Sequence, residues 1–98
     1  MKLKEIMSEI ETASHPVAKA LHVCGNFKTI AIGFKKGMIL KKHVTHRPAK
    51  LFLLQGKVNY IEKSVTTSLT MYDEINIPVD VIHSVEATED SLCILTQG

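Results

Sequence analysis

A chain of 98 residues with a formal net charge of +2, of which 45% are hydrophobic and 22% charged, has the balance of one folded domain and is too apolar to be disordered. The small positive charge does not imply a nucleic-acid partner: the lysines stand singly or in pairs, as at Lys35-Lys36 and Lys41-Lys42, with no continuous basic stripe interleaved with stacking aromatics, so none is expected. No apolar run reaches bilayer length, which excludes a spanning helix.

The first predicted element is a helix of about three turns, because Leu3, Ile6, Met7 and Ile10 recur at helical spacing with charged residues between them. Its one apolar face is expected to pack on the outside of a sheet or in a dimer seam; the alternative is a lid over a barrel mouth. Acids within this stretch argue against a signal peptide and so for a cytosolic location. There Cys24 and Cys93 are expected to be reduced thiols that pack rather than bridge. Ser14-His15-Pro16 ends the helix, since the residue before proline is driven out of the helical region. The chain thus divides into a helix at 1–14 and a single β domain at 15–98.

From Val17 onward every apolar run is short and bounded by turn residues. Val17–Cys24 and Phe27–Phe34 are joined by Gly25-Asn26, and a further strand begins at Met38 after Gly37. Pro48, which cannot donate to a ladder, forces a corner after Arg47. Lys50–Gln55 follows, then Gly56, then Lys57–Lys63, whose alternation of polar and apolar residues has the period of a half-buried strand. Val65–Met71, Ile75–Pro78, Ile82–Ala87 and Ser91–Thr96 complete the set. A helix followed only by short strands predicts an all-β antiparallel sandwich or barrel, which closes its own edges. A domain this small gains from pairing with a second copy, so a homodimer is expected.

The stretch from Gly37 to Gly56, answered by Pro78 to His83, resembles the cupin family, whose first motif reads G-x5-H-x-H-x3,4-E-x6-G and whose second reads G-x5-P-x-G-x2-H-x3-N. Gly37, His43 and Gly56 fall in register with the first, Pro78 and His83 with the second. Thr45 stands at the second histidine position, Ala49 at the glutamate, Tyr72 and Asp80 at the glycines, and Ala87 at the asparagine. The resemblance implies a cupin-type jelly roll, or double-stranded β-helix, in which the motif histidines converge inside the barrel on a divalent metal.

The resemblance carries only His43 and His83 to that site, and a mononuclear centre normally takes three protein ligands. His46 would supply the third if a bulge or the Arg47-Pro48 corner turned it inward. The candidate metal set is therefore His43, His46 and His83, for iron, manganese, nickel or zinc. Without metal, the same residues with Thr45, Lys50 and Tyr60 would line a small-molecule pocket, where the Lys50 ammonium would favour an anionic ligand. No carboxylate of either motif is placed to orient an imidazole. The expected role is therefore a non-enzymatic sensor or accessory protein that binds a small molecule or a divalent metal. The alternative is an oxygenase or isomerase built on the three histidines.

Overall fold

The computed structural model describes all of residues 1–98. One helix, α1 (Lys2–Glu9), precedes nine strands: β1 (Val17–Cys24), β2 (Phe27–Phe34), β3 (Ile39–His43), β4 (Ala49–Gln55), β5 (Val58–Glu62), β6 (Val65–Leu69), β7 (Glu74–Ile77), β8 (His83–Ala87) and β9 (Ser91–Gln97). They form two antiparallel sheets, ordered β1-β2-β9-β4-β7 and β3-β8-β5-β6. The order departs from chain order at five of its seven steps, which is jelly-roll winding.

Alternation decides what fills the space between the sheets. Ile32, Cys93 and Leu53 lie side by side across β2, β9 and β4, while Leu69, Val58 and Ala87 do so across β6, β5 and β8. All six are buried in one cluster that also holds Phe34, Leu51, Tyr60, Ile77 and Val85. Both sheets contribute, so over most of its length the barrel is a filled core rather than a hollow. Burial raises the Cys93 thiol pKa to about 12, so this cysteine is an inert packing residue.

The helix lies on the outer face of the five-stranded sheet and not over the barrel mouth. Ile6 and Ile10 pack there with Val17, Ala31 and Leu92 as a second cluster, whereas Leu3 and Met7 stay partly exposed. The approach is close because β2 carries Gly33 beneath it: a Cβ at that position would stand 2.5 Å from Ile6 Cγ2. Lys19 Nζ meets Glu9 at 2.9 Å and Lys35 Nζ meets Glu11 at 3.0 Å, pairs that orient the helix but contribute little as exposed ion pairs.

The two glycine positions of the second motif are held by Tyr72 and Asp80, with φ of 75° and 60°. The backbone takes a left-handed turn at both positions although neither residue is glycine. Such a conformation costs an ordinary residue about 1 to 2 kcal/mol, and less for aspartate. Tyr72 is 79% exposed and so has little packing to lose. Tyr72→Gly is expected to stabilise the fold by about 1 kcal/mol, read as a higher urea midpoint at unchanged m-value.

Candidate functional site

At the end of the four-stranded sheet, three polar side chains stand in one row. His43 on β3 pairs with His83 on β8, and His83 pairs with Glu62 on β5. Directly paired residues share a face, and His83 lies on the same face as the core residues Val85 and Ala87, so the row faces the barrel interior. His43 joins it through an irregularity of β3: the register shifts between Leu40, which pairs with Val85, and His43. Without that extra residue, strand alternation would turn His43 away from the side on which Leu40 packs.

The rings touch. The His43 and His83 centroids are 4.1 Å apart at 60°, and Tyr60 stacks on the far side of His83 at 5.8 Å and 26°. His83 is 2% exposed and Tyr60 1%, while His43 is half-buried. Each imidazole lies against a backbone carbonyl through Nδ1, His43 at 2.8 Å from Lys41 and His83 at 3.1 Å from Val81. A carbonyl only accepts, so both Nδ1 atoms carry the proton and, in the neutral rings, both Nε2 atoms present a lone pair. No side-chain nitrogen or oxygen that is fully buried lacks a partner, and His83 Nε2 has none in the protein, so that atom reaches solvent.

Burial is the main reason that the His83 pKa falls below the ordinary histidine value; the neighbouring His43 lowers it further, while the Val81 carbonyl and Glu62 oppose the shift. His83 is therefore neutral at pH 7. The Tyr60 hydroxyl donates to Glu62 Oε1 at 2.7 Å, and burial together with that carboxylate drives the phenol pKa far up, so Tyr60 stays a donor at any working pH. Glu62 was missed in the motif comparison because it lies outside both motifs. Period two was enough to find it, since Val58, Tyr60 and Glu62 alternate with Asn59 and Ile61.

The remaining sequence candidates lie elsewhere. His46 does not join His43 and His83 as the third member of the metal set. Its side chain is 82% exposed and its Nδ1 donates to Asp80 at 2.8 Å, bracing the corner after β3 against the loop before β8. Thr45 is buried in that corner, its hydroxyl donating to the Arg47 carbonyl and its own carbonyl accepting from the Asp80 amide. Lys50 is not in the pocket: its neighbours Ala49 and Leu51 point inward, so it stands on the outer face of β4, where Nζ meets Glu74 at 2.8 Å. Ala49, at the family's glutamate position, is part of the apolar core.

A cleft of about 500 Å3 opens at the same end of the sheet, walled by Lys42, Ile61, Lys63, Asp80, His83 and Ser84. Of the five residues expected to line a pocket, only His83 borders it.

The same fold recurs in solved structures at low sequence identity. An RmlC-like cupin from Desulfovibrio desulfuricans superposes with a TM-score of 0.79 at 21% identity, over 86% of this chain and 82% of that one. The chain has the cupin fold. KdgF from Halomonas sp. matches this chain with a TM-score of 0.77 at 20% identity, covering 88% and 82% of the two chains. Salicylate 1,2-dioxygenase from Pseudoaminobacter salicylatoxidans reaches 0.88 at 12% identity, over 98% of this chain but only 31% of the dioxygenase. No protein-family model matches the sequence, and no curated protein matches it.

The donor set does not fit the mononuclear metal centre that the fold suggests. No three side chains among histidine, cysteine, aspartate and glutamate gather at metal-ligand spacing. Ala49 supplies no oxygen, His46 is turned to Asp80, and Glu62 is taken up by the Tyr60 hydroxyl. Two imidazoles fall short of the three ligands that a catalytic centre uses.

Proposed function

We propose that this cupin is a non-enzymatic sensor or accessory protein that binds a small molecule at the His43–His83 end of its barrel. One observation carries the reading: His83, which belongs to the row with His43 and Glu62, also borders the 500 Å3 cleft that opens at that end of the sheet beside the outward-facing Ile61 and Ser84, a size typical of small-molecule sites. The Nε2 atom of the neutral His83 ring reaches solvent and gives a hydroxyl or amide donor on a ligand one oriented acceptor. Binding is favoured over catalysis because neither Nδ1 of the His43–His83 row is held by a carboxylate, and the one imidazole–carboxylate pair, His46 with Asp80, stands at the exposed corner away from that row. A cytosolic homodimer belongs to the same reading, supported by β1, an eight-residue edge strand with Val23 exposed near its end.

The test is a thermal-shift ligand screen. A ligand that raises the melting temperature of the wild type should fail to do so with His43→Ala and His83→Ala. If both variants respond as the wild type does, the histidine end is not the binding site. A metal-dependent oxygenase or isomerase is the second reading, favoured by the two Nδ1 contacts to backbone carbonyls, since ligating imidazoles are held in this way. Elemental analysis of untagged protein separates the two: near-stoichiometric metal, lost in His83→Ala, would replace the first reading with the second.

A further inference from the structure

The geometry points to an oxyanion, a carboxylate or phosphate carried on a short apolar body, as the ligand of the cleft beside His83, with Lys42 and Lys63 as its counter-charges. This inference rests on the small-molecule reading above and names the class of ligand. Three features of the cleft support it, and each is independent of the histidine row.

The first is charge. Lys42 and Lys63 are the cations on the wall, and Asp80 is the only carboxylate there. Asp80 accepts from His46 Nδ1 at 2.8 Å and keeps its negative charge, so two ammonium groups against one carboxylate leave the wall net positive. The second is the hydroxyl lining. Ser64 and Ser84 both border the cleft, and Ser84 is buried although its neighbours His83 and Val85 are the ones that face the core. Two hydroxyls beside two ammoniums are donors suited to oxygen acceptors, while Ile61, Val81 and Ile82 supply an apolar wall for a carbon chain.

The third is the backbone. Four residues other than glycine have positive φ, and three of them, Lys63 (50°), Ser64 (64°) and Asp80 (60°), line this one cleft. Lys63 and Ser64 are the two central residues between β5 and β6, both left-handed, a turn that strongly favours Asn-Gly. A turn selected for stability alone would carry that pair. Lysine and serine there accept local strain and present an ammonium and a hydroxyl to the cleft, the kind of outlier from which a functional role is inferred.

The test uses four probes with the same six-carbon body: hexanoate, hexyl phosphate, hexanol and hexylamine, titrated calorimetrically into the wild type, Lys42→Gln, Lys63→Gln and, as a control on the opposite sheet, Lys50→Gln. Hexanoate or hexyl phosphate is expected to bind the wild type at least about tenfold more tightly than hexanol or hexylamine, as one charge-assisted contact implies. Lys42→Gln and Lys63→Gln should each lose that margin and Lys50→Gln should keep it; which anion is preferred separates a carboxylate from a phosphate ligand. Ser64→Gly should raise the melting temperature, since glycine relieves the strain. Equal binding of hexanol and hexanoate, or anion binding unchanged in both lysine variants, overturns the anion assignment. It leaves the small-molecule reading standing if His83→Ala still abolishes binding. No binding of either anion to the wild type also overturns it, while the ligand screen on His43→Ala and His83→Ala decides the broader reading separately.

Discussion

Gly56→Ala is expected to destabilise the protein by about 2 to 5 kcal/mol, more than most single substitutions. Two costs add. Gly56 has a φ of 91°, a region that a side chain enters only at a cost of about 1 to 2 kcal/mol. A Cβ there would also press into the Asp90 carbonyl oxygen and Ser91 Oγ and stand 2.7 Å from Ser91 Cα, and overpacking of this kind costs about 1 to 3 kcal/mol. The neighbours cannot yield easily. Ser91 Oγ accepts from the Lys57 amide at 3.0 Å and lies within hydrogen-bonding reach of the Lys57 and Glu89 carbonyls, which ties the β4–β5 joint to the start of β9. Because a domain of this size loses roughly 4 to 8 °C per kcal/mol, the melting temperature should fall by roughly 10 to 40 °C. A calorimetric shift of only a few degrees would mean that the joint is free to open.

Much of this architecture could be read from the residues. Short apolar runs between turn dipeptides located all nine strands, and the period of a half-buried strand along Lys57–Lys63 is that of β5. The site was less legible, because its geometry depends on deviations from alternation. The register shift between Leu40 and His43 turns His43 inward, and no residue in that run marks it. His46 was expected to need such a bulge, yet its partner is Asp80, 34 residues away, and a pairing at that distance leaves no local trace. Lys50 is the opposite case. Its place outside the barrel follows from its position between Ala49 and Leu51, and closeness to a motif position misdirected the reading. Gly33 fits a strand poorly by local preference, and only the helix lying on it explains the missing side chain.

Tyr60→Ala should reach a similar loss of stability by another route, and it should also change how the site responds to pH. Tyr60 is 1% exposed, packs in the core shared by both sheets and forms the floor on which His83 stacks. Removing a buried aromatic ring costs about 3 to 5 kcal/mol through lost transfer energy and the cavity left behind. Tyr60→Phe keeps the ring and removes only the hydroxyl bond to the half-buried Glu62, so about 1 kcal/mol is expected. The pH response follows from His83. Its folded pKa lies below the unfolded value because burial disfavours the imidazolium, so on acidification the unfolded chain takes up the proton first. The stability tied to His83 is complete above the unfolded pKa of about 6.5, falls as the pH drops through that value, and levels off below the folded pKa. A cavity in place of Tyr60 admits water to the imidazole and brings its pKa back toward the ordinary value. Urea midpoints measured from about pH 7.5 down to about pH 5 should therefore fall steeply for wild type and Tyr60→Phe, and less for Tyr60→Ala and for His83→Gln, which has no proton to take up. Parallel slopes in all four proteins would show that the acid sensitivity belongs to the carboxylates and that the stack on Tyr60 does not keep His83 neutral.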